Sequence, residues 1–397
     1  MHDLCIIGGG HACGALIQNL LASNYNGKIT VFSEEEYYPY ERPPLSKDFL
    51  AGESKIDDFL IKLNISDVNF FLNTKIIEVD LLDKLIIDSN NNKYKYKKIV
   101  FANGARPKLI NSKINKIKYL RNIKDSLHLR RELETATDIV LLGAGYISLE
   151  ISSTIRKYYE NKKITIIDSS KNILSRNANN DLRETIRGYL KENNIILNLE
   201  TSISELIGNE EIKSVKLENG KKIKCDLLIV AIGVRPNIEI IKKGKIANER
   251  GILINEFCMT NIEDVYAIGD ITCFKSNYYN CFVREESWNN AQKQAYVLSQ
   301  NLVGIKTAYK EVPWFWTNQF NQNIQILGEI TNYDHRIIRQ YEDNKITFIY
   351  IKNELLVGSL VINNGKDVSI IRKLIKINST PNLTEINDIK FNLKGLL

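Results

Sequence analysis

Apolar residues along this chain fall into short runs bounded by turn residues, and these runs alternate with stretches of helical period. Leu4-Cys5-Ile6-Ile7 reads as a buried strand; it meets Gly8-Gly9-Gly10, and a helical pattern follows. Lys28-Ile29-Thr30-Val31-Phe32 is the next run, so residues 1–35 predict a β-α-β unit. The order returns in Val140-Leu141-Leu142, Gly143-Ala144-Gly145, a helix over 149–160 and the run Lys163-Ile164-Thr165-Ile166-Ile167. Between the two units, Pro39, Pro43 and Pro44 break the pattern over 37–48, which reads as an ordered loop or a short helix start. Strand-like runs then fall at 69–72, 76–80, 85–88, 94–96 and 98–104, with a helix over 130–136 before the second unit. Beyond it come a helix over 181–193 and strands at 197–201, 212–217 and 223–233. A strand ending in Gly269-Asp270 and a helix over 287–302 precede a last group, with strands at 324–328, 336–340, 346–351 and 356–362 and a helix over 366–374.

This order predicts an α/β chain with two Rossmann-like dinucleotide-binding domains and a C-terminal α+β domain. The first dinucleotide domain is expected in two parts, 1–111 and 237–310, with the second at 112–236 and the C-terminal domain at 311–397. The turn residues carry the chemistry. The first glycine of each turn, Gly8 or Gly143, permits the tight strand-to-helix reversal. The second, Gly10 or Gly145, lets backbone approach a pyrophosphate, which the helix N-terminus then binds with free N–H groups. The third position needs a small residue, here Cys13 and Ser148. An acidic residue at the end of the second strand should hold a ribose diol. In the second copy this is Asp168; in the first the matching position is Ser33, with Glu34 one residue later. Two such turns in register imply two dinucleotides, and the usual pair is a flavin and a nicotinamide. The Asp168 carboxylate repels a 2′-phosphate and accepts from a 2′-hydroxyl, favouring NADH over NADPH, although Lys171 and Arg176 stand close enough to accept a phosphate.

Composition narrows the picture further. Hydrophobic residues make up 44% of the 397 and charged residues 25%, ordinary for a globular protein of two or three domains. No apolar run reaches the ~18 residues of a membrane span, and Met1-His2-Asp3 leads straight into the first strand, so neither a leader nor a membrane contact is expected. The six cysteines show no metal-ligand spacing and read as reduced thiols of a cytoplasmic protein, with no metal site expected. The net charge of +7 comes without a basic stripe interleaved with aromatics, so nucleic acid is not an expected partner. His11, beside the first turn, reads as an incidental surface or turn residue.

Longer segments then appear in order: Tyr40-Glu41-Arg42-Pro43-Pro44-Leu45-Ser46-Lys47, Ala102-Asn103-Gly104-Ala105-Arg106-Pro107, Gly143 to Glu150, Ile232 to Asn237, Ala267-Ile268-Gly269-Asp270, Glu286 to Ala291 and Val312-Pro313-Trp314-Phe315-Trp316. Together they resemble the FAD-dependent ferredoxin reductases of bacterial oxygenase systems, of the putidaredoxin-reductase and biphenyl-dioxygenase-reductase type. Rubredoxin reductases and apoptosis-inducing-factor-like proteins are relatives of that family. The resemblance runs from residue 3 to about 375, and the Arg-Pro-Pro-Leu-Ser-Lys and Pro-Trp-Phe-Trp segments are its most specific parts.

The resemblance implies that Gly8, Gly10 and Cys13, with Ala102 and Gly104, line the FAD site. Glu34 or Glu35 would hold its adenosine ribose, Arg42 and Arg121 would contact it, and Asp270 would bind its ribityl or phosphate region. Trp288 and Trp316, or Trp314, would flank the isoalloxazine. Gly143, Gly145, Tyr146, Ile147, Asp168, Arg176 and Gly233 would hold NADH. Lys47 is the expected cation at the reactive ring, favouring the negative charge of flavin reduction, and Glu150 would pair with it, bind the carboxamide, or serve as a first-turn complement to the helix dipole. Asn103 stands where the family usually has Thr. Related disulfide reductases carry one or two cysteines after the first β-α-β, whereas 42–49 has none here, so no thiol relay is expected. The implied activity is NADH:ferredoxin reduction by way of FAD, with a [2Fe–2S] ferredoxin or rubredoxin as acceptor, the Lys-rich surface suiting an acidic carrier. The alternatives are a quinone or other small acceptor, or an apoptosis-inducing-factor-like sensor of NADH.

Overall fold

The computed structural model describes residues 1–176, 178–276 and 278–397. Its contacts divide the chain into two compact units. One holds Met1–Pro43, Lys55–Arg106 and Val234–Glu311; the other holds Pro44–Ser54, Pro107–Gly233 and Val312–Leu397.

The first unit is built on an eight-stranded sheet. Strand β1 (His2–Ile7) lies parallel to β2 (Ile29–Phe32), with Leu4 opposite Ile29, and helix α1 (His11–Ala22) connects them. Leu4, Cys5 and Ile6 are wholly buried, which is why the run carries no alternating polar residues. The segments 94–96 and 98–104, expected as two runs, form one strand, Lys93–Phe101. Its lysine-rich first half pairs antiparallel with Leu85–Asp88, and its apolar second half lies parallel to β1. Cys13 on α1 is fully buried in the core, which accounts for a small residue there.

The second unit repeats the plan. Strand β3 (Asp138–Leu142), helix α2 (Tyr146–Tyr158) and strand β4 (Lys163–Ile167) form its β-α-β, with Lys163 opposite Asp138 in a five-stranded sheet. The strand expected at 223–233 is two. Lys222–Lys224 joins an antiparallel sheet and Leu227–Val230 the parallel one, with the Asp226 carboxylate between them accepting from the Thr137 and Asp138 N–H groups. The helix expected over 130–136 begins earlier, at Ile123, because Asn122 caps it and exchanges hydrogen bonds with Asp125.

The C-terminal residues of this unit form a five-stranded antiparallel sheet covered by the helix Gly365–Lys376. Its first strand, β5 (Trp314–Gln319), begins within the Pro-Trp-Phe-Trp segment, ahead of the first strand expected there, 324–328. The segment Pro44–Ser54 packs within the second unit, with Leu50 fully buried in its core. That burial contributes roughly 1.5–3 kcal/mol.

Candidate functional site

The two glycine turns have the same backbone solution. Gly8 and Gly143 both have φ near +103°, the left-handed side that glycine tolerates. A Cβ on Gly8 would stand 2.5 Å from Asn103 Cα, and one on Gly143 would stand 2.4 Å from the Ala231 carbonyl. Each turn is therefore pressed against the peptide that follows the neighbouring parallel strand. Gly10 and Gly145 are the N-caps of α1 and α2, and neither helix has a side-chain cap or an acidic residue in its first turn. Among the described helices of eight residues or more, only these two lack both. Neither helix N-terminus is met by a cap side chain or a first-turn carboxylate, which suits it to an external anion such as a pyrophosphate. A Cβ on Gly145 would meet nothing within 4 Å, and one on Gly10 would meet only the Arg42 guanidinium, at 3.5 Å. The chain thus keeps both phosphate approaches clear, and the residues present fit dinucleotides.

In the first unit, Glu34 reaches outward to Lys75 at 2.7 Å, whereas Glu35 turns inward. Glu35 pairs with Arg42 at 2.8 Å and accepts from the Tyr40 hydroxyl at 2.5 Å. Burial works against the Arg42 charge, but Tyr40, Glu35 and Asp270 outweigh it and hold its pKa above the ordinary value. Asp270 lies in the one-turn helix Gly269–Ile271, whose first N–H donates to Gln294 at 2.7 Å. Asn103 and Asn237 exchange side-chain amides, each donating to the other's backbone carbonyl at 2.8 and 2.6 Å, which gives the departure from Thr a structural reason. Ala102 is buried, and Gly104 accepts from the Asn237 N–H at 3.0 Å.

His11 is not a surface residue. Its ring lies 5.0 Å from the Trp288 ring and both of its nitrogens are covered by protein atoms. Burial pushes the pKa of His11 down to about 4, against smaller opposing effects of Gln292 and Asp270.

In the second unit, the Asp168 carboxylate accepts from the Ala144 and Ser170 N–H groups, each at 2.7 Å, and so braces the glycine turn. Gly233 and the exposed Arg176 come together, a Gly233 Cβ position lying 3.8 Å from the guanidinium. Ile147 is exposed, and the Tyr146 ring packs 4.4 Å from Phe315. Arg121 precedes the cap of the helix Ile123–Thr135 and donates its N–H to Asp125 at 2.9 Å.

Lys47 and Glu150 also meet in this unit. The Lys47 ammonium stands 2.7 Å from Glu150, whose side chain is only 6% exposed. Glu150 lies beyond the first turn of α2, so complementing the helix dipole is not its role. Its carboxylate also accepts from the Ser46 hydroxyl at 2.5 Å and the Thr317 hydroxyl at 2.7 Å. Lys47 is delivered by hydrogen bonds to its own segment, from Ser126 to the Leu45 carbonyl, Thr154 to the Ser46 carbonyl and Tyr159 to the Leu50 carbonyl. Ser46 and Thr317 were not singled out by sequence, although the alternation along β5 marks Thr317 and Gln319 as inward positions.

Trp314 and Trp316 occupy the other face of β5, 5.3 Å apart, with the Arg372 guanidinium 4.7 Å from the Trp314 ring.

The profile of the pyridine nucleotide-disulphide oxidoreductases matches residues 2–295, and that of a reductase C-terminal domain matches 314–397. The chain belongs to the pyridine nucleotide-disulphide oxidoreductase family. It is 28% identical over 386 residues to a rubredoxin-NAD(+) reductase of Pseudomonas putida, covering 94% of this chain and 99% of the relative. It is 28% identical to a terpredoxin reductase of a Pseudomonas species, over 99% of this chain and 97% of that one. The covalent putidaredoxin reductase–putidaredoxin complex superposes with a TM-score of 0.93 at 25% identity, covering 100% of this chain and 98% of that one. The two-dinucleotide α/β fold with a C-terminal domain expected from the sequence is the fold of this family member. Despite the family's name, all six thiols here are free and five are buried, and burial pushes Cys5 and Cys225 up to about 12. Among the described residues no helix is long and apolar enough to cross a membrane, and no three side chains cluster as metal ligands.

Proposed function

We propose that this chain is an NADH-dependent flavoprotein reductase that passes electrons through FAD to a ferredoxin or rubredoxin serving an oxygenase. The observation that carries the reading is the pair of open, uncapped glycine turns in one chain that holds no thiol pair. The names of its relatives support the choice of acceptor, since those proteins reduce rubredoxin or ferredoxin-type partners. In this reading residues 1–111 and 237–310 are the flavin domain, 112–236 the NAD domain and 311–397 the C-terminal domain, and the protein is cytoplasmic.

When bound, FAD supplies the redox chemistry, accepting a hydride from NADH and releasing electrons singly. The chain supplies position and charge. The α1 and α2 N–H groups hold the two pyrophosphates, with Gly8 and Gly143 shaping the turns. Arg42 adds a fixed positive charge beside the first turn, and Glu35 rather than the outward Glu34 is the carboxylate assigned to the adenosine ribose. Asp168, already held by two backbone donors, keeps lone pairs for the ribose hydroxyls of NADH. Lys47, its charge fixed by Glu150, is assigned to the negative charge that builds on reduction.

Anaerobic stopped-flow absorbance tests the proposal. Mixing with NADH should bleach the flavin quickly, NADPH should do so more slowly, and a [2Fe–2S] ferredoxin should restore the oxidised spectrum. Bleaching without transfer to any iron–sulfur or rubredoxin carrier would assign a small-molecule acceptor instead. Purification without any flavin would overturn the reading.

A further inference from the structure

Strand β5 and helix α2 meet through two matched periodicities. On the strand, Phe315, Thr317 and Gln319 share one face. On the helix, Tyr146, Glu150 and Ser153 share one stripe. Phe315 packs on Tyr146, Thr317 donates to Glu150, and the Phe320 N–H donates to Ser153 at 2.6 Å. The middle contact is the polar one. Thr317 is fully buried and Gln319 is 1% exposed, so a hydroxyl and an amide stand where a polar group costs free energy unless it is hydrogen-bonded.

The hydrogen bonds have a direction. Gln319 donates Nε2–H to the Thr317 Oγ1 at 3.0 Å. That oxygen, accepting from the amide, turns its own proton toward Glu150 Oε1. The other carboxylate oxygen, Oε2, is then left facing Ser46 and Lys47. We propose that Thr317, oriented by Gln319, is a positioning residue that fixes the Glu150 carboxylate and thereby the Lys47 ammonium. The C-terminal domain in this way supplies part of the machinery that holds the charge. The link to reduction rests on the role proposed above for Lys47; the positioning itself does not.

The test follows the Lys47 ammonium directly in the full-length protein as purified. Lysine labelled with ¹³Cε and ¹⁵Nζ gives side-chain ammonium signals, and the one lost in Lys47→Met is that of Lys47. Losing one hydrogen bond to the carboxylate should speed hydrogen exchange of this signal about tenfold in Thr317→Val. Thr317→Ser, which keeps the hydroxyl, should restore it to near the wild-type rate. Gln319→Leu, a milder change, should give an intermediate rate and decides the matter should the valine variant not fold. A Lys47 exchange rate unchanged in the folded variants, or a serine variant behaving like valine, would overturn the proposal. A protein that shows the expected exchange pattern yet is not reduced by NADH would leave the positioning intact and remove the proposed function instead.

Discussion

The two glycine turns use one backbone and differ in the side chains around it. In the second, Asp168 stands at the end of β4, braced by backbone donors alone, so an acidic charge sits beside the turn. In the first, the matching position is Ser33, and the carboxylate comes from Glu35 with Arg42 paired to it. The residue after the N-cap glycine differs as well: His11 against Trp288 in one, Tyr146 against Phe315 in the other. The repeated motif thus specifies the turn and the open helix N-terminus behind it, and nothing more. Local charge and ring contacts are set by residues the motif does not contain, and these differ between the two turns.

The strongest way to break the comparison is at the glycines themselves. Gly143→Ala would force a methyl onto the Ala231 carbonyl in a backbone conformation alanine avoids, and should cost more than about 3 kcal/mol in denaturant unfolding. Gly145→Ala meets nothing, so stability should stay within about 0.5 kcal/mol. Its NADH affinity, followed by titration, should nevertheless fall, because the methyl occupies the approach of the pyrophosphate. Equal loss of stability in both variants would deny that the two glycines have separate tasks.

Acid should separate the turns next. His11 titrates at about 4 when folded, below its ordinary 6.5, chiefly because it is buried. The unfolded chain therefore takes up the proton first, and stability is lost as pH falls from about 6.5 toward 4. Over that window wild type should lose on the order of 2 kcal/mol that His11→Phe retains, read from unfolding curves at each pH. Tyr146, whose pKa burial raises, has no counterpart effect in acid. The smallest expected effect is at Asp168. Asp168→Ala should weaken NADH by about tenfold and NADPH by less, narrowing the preference measured by titration.

Much of this was legible in the chain because the signals are local. An apolar run of four residues, a glycine turn and a helical repeat fix β1 with α1, and β3 with α2, without reference to anything distant. Lys93–Phe101 was harder, since its two halves pair with different neighbours and carry different patterns. The cover over His11 is out of local reach too, because Trp288 beside its ring comes from a distant segment of the chain.

By itself the sequence determined the two glycine turns, the acidic residue that follows the second strand of the second unit, and the lack of any cysteine between Arg42 and Phe49. Only the tertiary structure decided which of Glu34 and Glu35 turns inward, and which further side chains close around Glu150. Those answers depend on desolvation and on donors brought from separate segments, Ser46, Lys47 and Thr317. A buried carboxylate is stable only where several donors converge. Convergence is a property of packing that no single stretch of sequence contains.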